Sequence, residues 1–238
     1  MKSSSTIDLY RKHYSDIRFE RVGLFKVIQG NYHCNEALYP GSFIHITPSF
    51  FFPHVVYVDQ SPSAIEFFAD ALGVLQYINR NKKYKRSPYV RFIAQDYSTA
   101  LPLREGQFDL LISLYASGIS RSCKKYLKIG GILVTNNFQN DAREAAIDSE
   151  FQLISIVRNR KKSYTLVEDT PKDILVCQGE ARTKRYTKQT SSGIEYTEIE
   201  DYFIFRRRGA DAACRRTPYI CGNEQQEKPY DLCAPLYT

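Results

Sequence analysis

Gly41 and Asp59 are the two residues whose types and spacing point most directly to chemistry. The apolar run Ala37-Leu38-Tyr39 ends in the break Pro40-Gly41-Ser42. A second run, Val55-Val56-Tyr57-Val58, ends in a carboxylate, Asp59, eighteen residues past Gly41. In an open α/β sheet, nucleotide-type ligands sit outside the carboxyl ends of the strands. A glycine after the first strand lets backbone approach the ligand, and an acid about 20 residues on accepts ribose hydroxyls. The spacing fits. There is no G-x-G-x-x-G, so a turn glycine, and an aspartate that ends a core strand and caps the helix beginning near Ser61, is the competing structural reading.

Other reactive residue types are less organised. The six cysteines are scattered without a C-x-x-C, and the four histidines all fall in the first quarter, so no metal site is expected. Ser113 has none of the sequence context of a nucleophile elbow. His45 stands between apolar neighbours, which suits a satisfied core or pocket-lining histidine. Asp96 is either a ligand contact or the start of a turn with Ser98 and Thr99. Basic runs at Lys82–Arg86, Arg158–Lys162, Arg182–Lys188 and Arg206–Arg208 contribute to a net charge of +7. They are solvated faces or phosphate contacts.

These residues need elements to hold them. Residues 7–33 read as a leading helix with Ile17, Val22, Leu24, Phe25, Val27 and Ile28 in its stripe. Ala37–Tyr39 is the first strand. Phe43–Ile46 is β-prone, but a loop with one helical turn, capped by Thr47 with Pro48 first, gives the better glycine-to-acid separation. Val55–Val58 is the second strand. A helix capped by Ser61 runs to about Ile78, with Ile65, Phe68, Leu72, Leu75 and Ile78 on one face. Strands follow at 90–94, 108–114, 132–135 and 151–157, with helices at 119–127 and 139–148 and a turn at Gly130-Gly131. The alternation specifies a doubly wound, mainly parallel sheet with helices on both faces. A polar, basic insertion at about 159–199 contains strand-like pieces at 164–167 and 174–177. Tyr202–Arg206 is an antiparallel last strand, the seventh. The chain then divides into a leading helix (1–34), an α/β domain (35–208) and a polar tail (209–238).

Composition narrows the class. A 43% hydrophobic content supports a sizeable core, and no window approaches the length of a spanning helix. The N-terminus lacks a secretion-signal core, so a cytoplasmic protein with no membrane association is expected.

Seven strands in this order, the last without a clear crossover helix, resemble the class I S-adenosylmethionine-dependent methyltransferase superfamily over about residues 15–208. The resemblance implies S-adenosyl-L-methionine as cofactor. It assigns Tyr39, Pro40, Gly41 and Ser42 to the loop cradling the methionine part, though without the family's usual several glycines. It assigns Asp59, with Gln60, to the ribose, Asp96 and Tyr97 to adenine, and Ser113 with Tyr115 to the methyl-donor pocket. His45 and Tyr115 are the acceptor-side candidates. The end of the fourth strand carries neither an Asn-Pro-Pro-Tyr type of tetrapeptide nor a Pro-Cys nucleophile, so the acceptor and the catalytic residues stay open. Two other classes compete. One is a module of the same fold that binds or regulates without catalysis. The other is a nucleic-acid-directed protein gripping a backbone with Arg158–Lys188 and stacking bases on Tyr164 and Tyr186.

Overall fold

The computed structural model describes residues 6–168, 184–190 and 193–209. Five parallel strands form its centre: β1 (Glu36–Pro40), β2 (His54–Val58), β3 (Tyr89–Ile93), β4 (Phe108–Ser113) and β5 (Leu127–Thr135). Antiparallel strands follow: β6 (Phe151–Arg160), β7 (Ser163–Val167), β8 (Lys184–Thr190) and the long β9 (Gly193–Arg207). The spatial order is β3-β2-β1-β4-β5-β9-β6-β7, with β8 paired to the first half of β9. The mainly parallel core and the antiparallel last strand are as expected. The count is nine rather than seven, because the basic insertion contributes β7 and β8. The strand-like piece at 174–177 and the tail beyond residue 209 lie outside the described residues.

Both faces of β1, β2, β4 and the second half of β5 are buried, which explains their continuous apolar runs, whereas the edge strand β3 exposes Tyr89 and Arg91. Ala37, Tyr39, Val55, Tyr57, Leu110, Ile112, Ile132 and Val134 pack on one side. The alternate residues Leu38, Val56, Val58, Leu111 and Leu133 pack on the other. Helices α2 (Val22–Asn31), α3 (Pro62–Ala69) and α4 (Ala71–Asn81) cover the first side, and α5 (Ile119–Ser122) and α6 (Asp141–Ile147) the second. No helix among the described residues is long and apolar enough to cross a membrane.

Several expected elements are corrected. The leading helix is not continuous. A turn of α-helix, α1 (Thr6–Tyr10), passes into a π-helical turn at Arg11–Ser15, and Arg18 and Arg21 then take left-handed φ of 54° and 56° before α2 begins. The break lets Arg21 turn inward, where it is 4% exposed. Tertiary contact overrides helical propensity here.

The helix expected over 61–78 breaks at Asp70, whose carboxylate accepts from the Gly73 amide at 2.9 Å and caps α4. Ile65 and Leu72 therefore face solvent, while Phe67, Phe68, Val74 and Ile78 are buried. Ser61 takes the cap position of α3 as expected, but its side chain makes no capping hydrogen bond; its carbonyl accepts from the Ala64 and Ile65 amides and its own amide donates to Asp59. Between β1 and β2 the loop reading stands, with a 3-10 turn at Thr47–Phe50. Ile46 takes the cap position, and the Thr47 hydroxyl pairs with Tyr10 Oη at 2.8 Å. Gly130-Gly131 lies inside β5, where the register against β4 shifts, rather than in a turn before it.

Candidate functional site

The loops after the parallel strands meet at the carboxyl edge of the sheet. Gly41 leaves β1 with φ +62°, and its amide donates to Val58 O at 2.8 Å. Phe43, also left-handed at φ 47°, donates its amide to Asp59 Oδ2 at 2.8 Å, and Asp59 Oδ1 accepts from the Ser61 amide at 2.8 Å. The loop that follows Gly41 thus reaches Asp59 through Phe43, while Gly41 itself bonds to the neighbouring Val58 carbonyl. The structure also gives Asp59 the helix-start contact of the competing reading.

A Cβ on Gly41 would lie 2.6 Å from Ala116 Cβ and 3.4 Å from Tyr97 Cε1. Tyr97 Oη in turn donates to Ser117 O at 3.2 Å. Loops after β1, β3 and β4 therefore close on one another around Gly41, and only glycine allows that approach.

The other expected residues divide. Pro40 is the last residue of β1, opposite Val58. Ser42 is buried, with its hydroxyl on Phe43 O, and Gln60 is exposed beside Asp59. Asp96 sits in a turn: Oδ1 accepts from the Ser98 amide at 2.8 Å, and Thr99 N returns to Asp96 O. The Ser98 backbone hydrogen bond holds its carboxyl below the usual range. Ser113 faces away from the first side. Its buried hydroxyl donates to Asp141 Oδ2 at 2.7 Å, in a cluster with the Ser120 amide and hydroxyl that pins α5 to α6.

Tyr39 and His45 form a buried relay. His45 Nε2 lies 3.1 Å from Glu20 O, a pure acceptor, so this nitrogen carries the proton. Nδ1 then accepts from Tyr39 Oη at 3.0 Å. Burial pushes the His45 imidazole down to about 3, with Arg21 adding to the effect, and burial pushes the Tyr39 phenol well above its ordinary value. The ring stacks on Tyr14 at 4.5 Å. His45 is therefore a neutral structural hub.

Its shift has a consequence for stability. The unfolded chain binds a proton below about 6.5 and the folded chain does not, so stability is full at neutral pH and falls as pH drops through 6.5. The slope is at most about 1.4 kcal/mol per pH unit. Melting temperatures at pH 7.5 and 5 will show this loss in the native chain and a shallower one in His45→Gln. Equal slopes would contradict the assignment.

The residues that spacing did not reveal lie around Tyr115, itself at φ 58°. Tyr115 Oη donates to Glu200 Oε1 at 2.8 Å, and its amide donates to Asn136 Oδ1 at 3.2 Å. Asn136 Nδ2 also donates to Glu200 Oε1, at 2.7 Å. Arg21 Nε stands 4.0 Å from Glu200 Oε2 and donates to Tyr202 Oη at 3.2 Å. The guanidinium lies 3.7 Å over Phe19 and 4.8 Å over Tyr115. Glu200 is 2% exposed. A period-two reading of Glu200, Tyr202 and Ile204 places that carboxylate on the buried face, the one sequence signal for it.

Backbone strain collects here as well. Seven of the nine described non-glycine residues with positive φ belong to this edge or to the segment over it: Arg18, Arg21, Phe43, Tyr115, Asn137, Gln139 and Asn140. Such strain is kept where surrounding structure enforces it, commonly at functional sites.

Of the two tyrosines expected to stack bases, Tyr164 is engaged in packing. Its ring fills the space beside Gly23 of α2 and stacks on Tyr202 at 6.3 Å. The side chain of Tyr186 lies outside the described residues.

No protein-family model and no curated protein matches the chain. Solved structures with similar folds include an S-adenosylmethionine-dependent methyltransferase from Methanosarcina mazei (16% identity, 76% of this chain, 97% of that chain, TM-score 0.42). Another is precorrin-6y C5,15-methyltransferase from Geobacter metallireducens (15%, 79%, 88%, TM-score 0.46). A third is tRNA (m1A58) methyltransferase from Aquifex aeolicus (13%, 83%, 70%, TM-score 0.45). Likeness at this level does not extend to the reaction of this chain.

Proposed function

We propose that the protein is an S-adenosylmethionine-dependent methyltransferase whose cofactor lies at the carboxyl edge, against the Gly41 turn and Asp59. One observation carries this reading. Asp59 follows the last residue of β2 with each carboxylate oxygen accepting a single backbone amide, one of them from Phe43, two residues past Gly41. Each oxygen keeps a lone pair for a ribose hydroxyl, so the carboxylate fits the group. Tyr97 would border the base, and backbone at Gly41–Ser42 the methionine part. The bound sulfonium supplies the methyl group. The chain contributes alignment of the acceptor and exclusion of water, which provide much of the rate in an in-line displacement.

A second reading, a ligand-binding module of this fold without catalysis, is favoured by the β1–β2 crossover. It holds one 3-10 turn and no α-helix, and Ala116 takes the open face of Gly41.

The test is thermal unfolding with S-adenosylmethionine or S-adenosylhomocysteine, and with ATP as control. Ligand at about 100 times its dissociation constant adds about 2.7 kcal/mol, a rise of several degrees that ATP does not reproduce. No shift at millimolar concentration overturns the proposal. A shift without methyl transfer to any acceptor supports the second reading.

A further inference from the structure

We propose that the opposite, amino-terminal edge of the sheet is a docking groove for single-stranded nucleic acid. Two open cavities, of about 500 and 390 Å3, adjoin there and share Tyr32, His33 and Cys34 as the ridge between them. Lys85 and Arg86 line one lobe, and Lys128 and Arg206 line the other. The one carboxylate among the lining residues, Asp109, is already engaged. It accepts from the Asn35 and Glu36 amides at 3.0 and 3.1 Å and from Lys128 Nζ at 2.7 Å.

Lys85, Arg86 and Arg206 are exposed, and none forms an ion pair with a described residue. Their charges therefore stand open to solvent at both ends of the groove.

The walls between the cations are aromatic. The Tyr32 hydroxyl is tied to Ser155 Oγ at 2.6 Å, and that of Tyr84 to Ser49 O at 2.9 Å, so both rings are held in fixed positions. His33 is exposed on the ridge. Cations spaced along an open groove with aromatic rings between them suit repeating phosphates and stacked bases. A lone nucleotide would meet only one lobe. The placement replaces the Tyr164 platform expected from sequence, and it does not depend on the methyltransferase reading.

The experiment is fluorescence anisotropy of a labelled twelve-nucleotide RNA with the full chain, at about 50 and 200 mM salt. We expect saturable binding at low salt that weakens roughly tenfold at the higher salt. Lys85→Glu/Arg86→Glu and Arg206→Glu will each weaken it roughly tenfold, since each removes phosphate contacts and adds repulsion. A control of equal charge change away from the groove, Lys12→Glu/Arg104→Glu, will weaken it less than about threefold. All these residues are exposed, and unchanged melting curves will confirm that the variants fold. Absence of binding at low salt overturns the proposal, as does an equal loss in the control. Displacement by uridine monophosphate as effective as by unlabelled RNA also overturns it, in favour of a small-anion site.

Discussion

Replacing Glu200 by alanine will lower the melting temperature by about 10 °C. Arg21, 4% exposed, would keep its charge in the interior without the carboxylate 4.0 Å away, and Tyr115 Oη and Asn136 Nδ2 would lose a shared acceptor. Removing one partner of a buried pair typically costs about 3–5 kcal/mol, which for a domain of this size is roughly 2–4 °C per kcal/mol. Arg21→Met will cost a similar amount. It will also loosen residues 6–21, which Arg21 fastens to β9 and to the loop after β4. In the double variant Arg21→Met/Glu200→Ala neither charge remains to be desolvated, so it will be more stable than the sum of the single losses predicts. Strict additivity in urea denaturation would show that the two side chains do not act as a pair.

Gly41→Val will destabilise the fold by about 3 kcal/mol and will abolish cofactor binding. Two separable effects contribute. An L-residue at φ +62° costs about 1–2 kcal/mol, more when β-branched. The new Cβ also falls 2.6 Å from Ala116 Cβ, and overpacking of this kind costs about 1–3 kcal/mol. The milder Gly41→Ala separates them: Ala116→Gly in the same chain will recover the packing part and leave the backbone part. If Gly41→Ala is already neutral, the loops after β1 and β4 do not close as described.

The sheet was legible because the central strands β1, β2 and β4 are buried on both faces, so that Val55–Val58 and Phe108–Leu114 read as unbroken apolar runs between turn residues. Bringing the loop after Gly41 to Asp59 needed only the length of one crossover. The helix breaks were not legible. At 16–21 the local sequence tolerates a helix, and the residue that leaves it, Arg21, meets a distant partner, Glu200; at Asp70 the break is marked only by a local carboxylate cap on the Gly73 amide, inside an apolar periodicity that runs on across it. Arg21 and Glu200 lie at opposite ends of the described chain, and only the completed sheet chooses them as partners.

Ser113 follows the alternation of its own strand. Two-residue alternation puts it on the same face as Leu111, toward α6 and Asp141. Asp96 follows β3 and also forms the local turn that its sequence allows, with Oδ1 accepting from the Ser98 amide.

The most direct test of the central claim is calorimetric titration of S-adenosylhomocysteine into the native chain and into Asp59→Ala. The substitution removes the acceptor proposed for the ribose and leaves the Phe43 and Ser61 amides without theirs, so thermal unfolding of the free variant is recorded alongside to show that it remains folded. Micromolar binding to the native chain, weakened at least about a hundredfold in a folded Asp59→Ala, is the result expected; losing hydrogen bonds to a charged group, about 1.5–3 kcal/mol each, supports that size. Equal binding by both proteins would contradict the placement of the site.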